Sequence, residues 1–340
     1  MIKLALIGCG RSADYHKKRF DLNAHRMKFV AACDNDLENA KKVADACGGE
    51  YAVADYKEIL DKVDAVIIET PHFTHHEIAV NCLNAGKDVL IEKPMAITEE
   101  QCLDVIDAWE KSGKIFMIGY TLRFYPVLDV FRKLAIDEKI YGDLFHLSMY
   151  TEQHTFMGND HWHHKVSGIG GGQLIAQGYL YMDMMLLCLG NPVEGAQMGI
   201  NKGTEWMEKE GTTDVFVRFE NGSVGYYFGT WGARGTKHGY EFHAHCQEGT
   251  FVANIITGEL FGYKNDNENK AELLYKADES DDPVHREFTY FLDCIDQPEK
   301  PYLNAYDSLQ GLRVIRKLYE ANEDKKFADL RGLGLGKPIK

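Results

Sequence analysis

The chain has 340 residues, 45% of them hydrophobic and 26% charged, with a formal net charge of −14. That length favours two domains with separate cores, and the acidic balance argues against nucleic acid, whose partners need basic patches to release counterions. The longest apolar run, Met182–Leu189, is far too short for a membrane span, and the first strand follows Met1 directly. We therefore expect no signal peptide, no membrane contact and a cytoplasmic location. The eight cysteines are dispersed without a C-x-x-C pair, the usage of reduced core residues.

From the N-terminus, Ile2, Leu4, Leu6 and Ile7 form a nearly continuous apolar run, as in a strand buried on both faces. Gly8-Cys9-Gly10-Arg11-Ser12-Ala13 comes next, and a helix should begin near Ser12. A second apolar strand, Phe29–Cys33, ends at Asp34, and Asp36 is placed to cap a helix over Leu37–Cys47. A short strand Tyr51–Val53 and a small helix near Tyr56–Leu60 lead to Ala65–Ile68, the strongest strand signal. Thr74–Ala85 and Thr98–Trp109 have helical spacing, with Thr98 and Gln101 as a capping box. Asp88–Ile91 and Ile115–Ile118 read as strands. Strands alternating with helices at this spacing predict βαβ units and a parallel, doubly wound sheet, with ligands outside the carboxyl ends of its strands.

The pattern changes after Gly119. Tyr125-Pro126 opens a helix through Leu134, Leu144–Thr151 alternates like a strand, and residues 154–172 form a loop rich in His and Gly. Gln173–Leu189 is a long apolar helix stopped by Gly190-Asn191-Pro192. From Thr213 the chain reads as an antiparallel meander with turns at Glu220-Asn221-Gly222 and Glu248-Gly249. Residues 264–282 are polar and expected as a mobile loop, and helices are expected near His285–Cys294 and Tyr306–Ala321. The fold class is α/β: a parallel-sheet domain over residues 1–120, then an α+β domain with an open, mostly antiparallel sheet over 121–340.

Gly8, Gly10 and Ala13 fit G-x-G-x-x-G/A. The first glycine allows the tight turn, the second lets the backbone approach a pyrophosphate, and Ala13 keeps helix and strand close. Arg11 and Ser12 complete the turn, and the helix N-terminus favours a phosphate. Asp34 lies where a carboxylate accepts from an adenosine ribose, which favours NAD over NADP, although Arg11 could stack on adenine and favour NADP. At the end of the fifth strand stands Glu92-Lys93-Pro94. A lysine beside a cationic nicotinamide would lose basicity and become a candidate proton carrier. Pro94 restricts the backbone and is a candidate for a cis bond.

Taken together, Gly8-x-Gly10-x-x-Ala13, Thr70-Pro71 with His75, Glu92-Lys93-Pro94, Arg123-Phe124-x-Pro126 and Gly170-Gly171-Gly172 resemble the glucose–fructose oxidoreductase/inositol dehydrogenase family (Gfo/Idh/MocA). The resemblance implies a Rossmann domain carrying NAD(H) or NADP(H), and a substrate domain whose open sheet makes dimers or tetramers. It implies substrates among sugars, cyclitols and related polyols. Lys93 matches the family's catalytic lysine, and His72 stands on the cofactor side where relatives often have Asn. In most members the triple glycine opens G-G-G-x-L-x-D-x-G-x-H-x-x-D. Here Ala176 replaces the first Asp and Leu180 the His, while Asp183 is retained.

Neither Ala nor Leu carries a proton. Tyr179, Tyr181, Asp183 and His164 are the candidate replacements, with Lys93, for the catalytic set. His154, His161 and His163 are candidates for contacts with substrate hydroxyls; Tyr120 and Arg123, just after the last parallel strand, are placed to point into the crevice or to pack between the domains, with Arg123 a candidate cofactor-binding residue. H-x-H-H lacks a partner ligand at a recognised metal spacing, so no metal is expected there. Three functions remain open: a dehydrogenase or reductase acting on a carbinol, a glycoside-cleaving enzyme that uses NAD in transient oxidation, and a non-catalytic NAD-linked protein.

Overall fold

The structure is a computed structural model, and it describes residues 1–10, 13–158, 161–265, 270–297 and 301–335. Arg11 and Ser12 lie outside the described residues. The chain divides into two compact units: Met1–Gly119 with Val284–Leu309, and Tyr120–Pro283 with Gln310–Lys340. The return of 284–309 to the first unit has no counterpart in the sequence pattern, because it rests on packing between distant segments.

In the first unit β1 (Ile2–Ile7), β2 (Met27–Cys33), β3 (Tyr51–Val53), β4 (Ala65–Ile68), β5 (Asp88–Glu92) and β6 (Phe116–Gly119) form one parallel sheet. Its order is β3-β2-β1-β4-β5-β6, the doubly wound arrangement whose ligand crevice opens where the order reverses, at the ends of β1 and β4. All four residues of β4 and of β6 are buried, as apolar runs between two helical layers require. The helices are α1 (Ala13–Leu22), α2 (Leu37–Cys47), α3 (His72–Asn84) and α4 (Glu99–Ser112). The Asp36 carboxylate accepts from the Glu38 amide to start α2. The Thr98 hydroxyl accepts from the Gln101 amide, while the Gln101 side chain reaches back to the Ile97 N–H.

The second unit opens with α5 (Pro126–Arg132), which runs into a π-helical turn, and β7 (Leu144–Glu152). The expected loop over 154–172 contains a single helical turn at Trp162–His164 and the short α6 (Val166–Ile169). The long apolar helix is π-helical over Leu174–Gly178 and continues as α7 (Tyr179–Leu189). Strands β8 (Pro192–Ile200), β9 (Thr212–Phe219), β10 (Val224–Thr230), β11 (Glu241–Cys246), β12 (Gly249–Asn254), β13 (Glu259–Lys264), β14 (Ala271–Lys276) and β15 (Ala328–Asp329) make up the rest of its sheet. With β7 they form a sheet of nine, ordered β14-β13-β12-β11-β7-β10-β9-β8-β15. Its pairings are antiparallel apart from β7 with β10. β14 corrects the expected loop over 264–282. It is an edge strand, mostly exposed, so it lacks the apolar alternation that marks a half-buried one.

Helix α8 (Pro283–Asp296) and the start of α9 (Ala305–Glu323) belong to the first unit. Phe288, Phe291 and Leu292 are fully buried there, and Phe288 meets Phe20 edge-on with ring centroids 5.5 Å apart. Seven of the eight cysteines are buried, none is in a disulfide, and Cys47 is half-buried. Among the described residues no helix is long and apolar enough to cross a membrane.

Candidate active site

The turn after β1 is shaped by one backbone requirement. Gly8 has φ +99°, and a Cβ there would lie 2.5 Å from the Glu69 carbonyl oxygen, so only glycine lets the ends of β1 and β4 come this close. Gly10 is the opposite case: nothing lies within 4 Å of where its Cβ would be. Asp34, half-buried at the end of β2, accepts from the Cys9 amide at 2.7 Å and from the Asp36 amide at 2.9 Å. Those bonds fix the carboxylate and leave lone pairs for further donors. An open glycine turn, a helix N-terminus and an oriented carboxylate twenty-four residues past Gly10 fit a dinucleotide. Ala13 opens α1.

On the other side of the turn, Thr70-Pro71 leads into α3, whose first residue is His72. His72 and His75 are both buried, with ring centroids 5.7 Å apart. The His75 ring nitrogens face two carbonyls, Nδ1 that of Pro94 at 2.7 Å and Nε2 that of Thr70 at 2.8 Å. Burial pushes the His75 imidazole below its usual basicity, against the pull of those carbonyls, and the Lys93 charge pushes the same way as burial. His75 thus links the loop after β4 to the cis Lys93-Pro94 bond after β5.

Lys93 stands in a charged cluster. Burial lowers the basicity of its ammonium, while Glu92 opposes that shift. Burial raises the Glu92 carboxyl to about 7, with the Glu69 charge adding to it and Lys93 and Arg19 acting against it. Glu69 goes the other way. Burial would raise it, but Arg19 and His16 outweigh burial and hold the carboxyl well below the usual range. Arg19 donates to Glu69 Oε1 at 2.8 Å and His16 Nε2 lies 3.0 Å from Glu69 Oε2. Two carboxylates at the ends of neighbouring strands are thereby driven apart in acidity.

In the second unit the residues from the glycine-rich frame are arranged around an ion pair. Arg123 donates from Nε to Asp183 Oδ2 at 2.7 Å and from Nη2 to Oδ1 at 2.5 Å, with side chains 3% and 2% exposed. The Arg123 guanidinium also sits 5.5 Å from the centre of the Tyr120 ring, which stacks on Tyr179 at 6.2 Å. Tyr179 and Tyr181 are buried. Tyr181 stacks between Tyr227 and Phe242 at 5.0 and 5.5 Å, and burial holds its hydroxyl far above the usual phenol range. Gly172 is required because a Cβ there would lie 2.3 Å from the Glu210 carboxylate.

Ala176, at the position of the missing Asp, belongs to an apolar cluster with Ile169, Met207 and Trp231, against which Trp162 and Trp206 pack. Trp206 and Trp231 are stacked at 6.0 Å with an interplanar angle of 4°. The histidines of the loop join this aromatic group: His163 lies 5.8 Å from Trp231, and His164 5.0 Å from Trp206. His164 Nε2 is 2.9 Å from the Met157 carbonyl oxygen, so that nitrogen carries the proton as a donor. His161 Nδ1 accepts from the His163 amide at 3.3 Å, and His154 pairs with Gly232 in an isolated bridge.

Sequence reasoning missed two groups. Glu69 was visible as an acid ending β4 beside the glycine turn, whereas its partners His16 and Arg19 come from α1 and carry no signal of their own. The second is an uncharged network on Gln177, whose Oε1 accepts from Gln173 at 3.1 Å, Gln153 at 3.2 Å and the Trp231 indole at 3.0 Å.

Known proteins share this fold. Residues 2–120 match the model of an oxidoreductase family with an NAD-binding Rossmann fold, and residues 132–252 match the GFO/IDH/MocA C-terminal domain. Inositol 2-dehydrogenase 2 of Saccharopolyspora erythraea is 33% identical over 128 residues, 37% of this chain and 38% of that protein. A 1-carboxy-3-chloro-3,4-dihydroxycyclohexadiene dehydrogenase of Comamonas testosteroni is 26% identical over 227 residues, 65% of this chain and 56% of that protein. The chain thus spans between about two fifths and just over half of these relatives' lengths. Levoglucosan dehydrogenase in complex with NADH superposes with a TM-score of 0.87 over 97% of this chain and 99% of that one, at 20% identity, which shows the shared fold. With both of its domain models matched, the chain belongs to the Gfo/Idh/MocA oxidoreductase family, and its first unit is an NAD-binding Rossmann fold.

Proposed function

We propose that the protein is an NAD(P)-dependent oxidoreductase that interconverts a carbinol and a carbonyl on a sugar, cyclitol or related polyol. The observation that carries this reading is Lys93, an amine of lowered basicity at the carboxyl end of β5 in a nucleotide-binding sheet. When bound, the dinucleotide supplies the acceptor or donor of the hydride. The chain does the rest. Gly8, Gly10, Arg11, Ser12 and Ala13 seat the diphosphate, Asp34 accepts from the ribose and disfavours a 2′-phosphate, and Thr70, Pro71, His72, Glu92 and Pro94 shape the other wall. The Lys93 amine takes the hydroxyl proton on oxidation and returns it on reduction. His75 positions the Lys93-Pro94 turn.

Asp183 acts through Arg123, not on a proton, because each neutralises the other in a buried bidentate pair. Tyr181, locked in its stack and held protonated, serves as wall, and Tyr179 and His164 are the polar groups for substrate hydroxyls. The test is formation of reduced nucleotide from a panel of sugars and cyclitols, by the wild type and by Lys93→Ala. No turnover with any of them would contradict the reading.

A redox-neutral glycoside cleavage is favoured by one observation, the tryptophan-lined cluster around Ala176 where a carboxylate would stand. Cleavage of aryl glycosides with catalytic NAD and no net reduced nucleotide would establish it. We further propose a homodimer or homotetramer. Met198, Ile200 and Phe216, exposed at 71%, 58% and 50%, share one sheet face through the β8–β9 register. Light scattering of the wild type and of Phe216→Asp tests that surface.

A further inference from the structure

Within the second unit, β11 and the loop before it gather a separate set of ligating side chains. Glu241 and His243 are two apart on one strand, so both point to the same side of the sheet. His238, in the preceding loop, comes to meet them. His238 Nδ1 lies 3.1 Å from Glu241 Oε2, and His243 Nε2 lies 2.8 Å from the same oxygen. The three ligand atoms are all within 4.8 Å of one another.

The loop is held in place. One oxygen of Glu152 accepts from the backbone N–H groups of Lys237, His238 and Gly239, at 3.0, 3.0 and 3.1 Å. The Tyr150 ring stacks on His238 with centroids 4.6 Å apart. The side chains of His238, Glu241 and His243 are 34%, 20% and 21% exposed in the single chain.

We propose that His238, Glu241 and His243 form a binding site for a divalent transition ion of the zinc class. Ligand nitrogens and oxygens about 2.0–2.2 Å from a tetrahedral ion lie about 3.3 Å from each other, close to the two nitrogen–oxygen separations of 3.1 and 2.8 Å here. Without an ion, both imidazoles donate an N–H to one carboxylate oxygen; with a divalent ion bound, each turns a lone pair on that nitrogen to the ion and carries its proton on the other ring nitrogen. Two imidazoles, one carboxylate and no thiolate suit Zn²⁺, Co²⁺ or Ni²⁺, whereas Ca²⁺ and Mg²⁺ take oxygen ligands. Three protein ligands leave the fourth position open. The Glu152 carboxylate fixes the backbone of the loop that carries His238.

The test is titration of the full-length protein with Co²⁺, read by visible ligand-field absorption, and with Zn²⁺ in competition, read by calorimetry. Saturation at one ion per chain is expected. His243→Ala and His238→Ala should each weaken binding by more than about tenfold, and Glu152→Gln, which loosens the loop that carries His238, by a smaller factor. His76 of α3, whose Nε2 lies 3.3 Å from Asp104, is the control, and His76→Ala should leave binding unchanged. Circular dichroism, with His243→Asn as a gentler second variant, confirms that lost binding is not lost folding. Absence of saturable binding, or binding that survives both His238→Ala and His243→Ala, would overturn the proposal.

Discussion

The two units handle buried charge in opposite ways. In the first, charges are set against one another so that their acidities diverge: Glu69 is driven down, Glu92 up, and Lys93 loses basicity. In the second, Arg123 and Asp183 cancel in a bidentate pair, and the position of the family's first acid is an alanine among tryptophans. The first arrangement pushes the two carboxyls in opposite directions and brings Glu92 to about 7. The second holds a shape and leaves no titrating group where the family's acid and histidine stand. On the function proposed above, proton transfer falls to Lys93, and substrate recognition to aromatic and uncharged groups.

Lys93→Ala breaks the comparison at its sharpest point. Steady-state kinetics should show a loss of about 10²–10⁴ in turnover, while fluorescence titration shows NADH still bound. Asp183→Asn is next. It strands a buried guanidinium, so chemical denaturation should show a loss of about 3–5 kcal/mol, and removing both charges as Arg123→Met with Asp183→Leu should recover much of it. A smaller effect separates the two glycines. Gly8→Ala forces an L-residue into positive φ against the Glu69 carbonyl and should cost about 1–3 kcal/mol in the same assay. Gly10→Val should leave stability unchanged but weaken NADH by at least about tenfold, since its side chain would fill the diphosphate space.

The mildest change is Glu92→Gln. With its folded pKa near 7 and its unfolded value near 4.5, Glu92 holds a proton in the native state that the unfolded chain has lost. Between those values the native state binds more protons, so its contribution to stability is present below about pH 4.5 and is lost as pH rises through about 7. The variant should remove that loss, with stability falling less between pH 5 and pH 8. The Glu92 charge also raises the Lys93 pKa, so Glu92→Gln should move the Lys93 limb of the pH–rate profile to lower pH.

The first unit was legible because each level of its sequence agrees: apolar strands of period-free burial, a glycine turn, and caps such as Asp36. The second was harder. β8 comes directly after the Gly190-Asn191 helix stop and carries Glu194, Gly195 and Gln197, so it shows no run of strand-forming residues, and β14 is too exposed to alternate. The candidate site divides the same way. Lys93, Asp34 and the glycines could be placed from local motifs, whereas the pairing of Arg123 with Asp183, sixty residues apart, exists only once the chain has folded. The same holds for His16 and Arg19 around Glu69, and for the tryptophans that gather at Ala176.

The most direct test is a single-turnover experiment with stoichiometric NAD⁺ and each of a set of cyclitols, free sugars and aryl glycosides, monitored by the absorbance of reduced nicotinamide. Reduced nucleotide should form with at least one of them in the wild type, lasting or transient, and with none in Lys93→Ala. Tight nucleotide binding with no reduction by any substrate, or equal reduction by Lys93→Ala, would contradict the account.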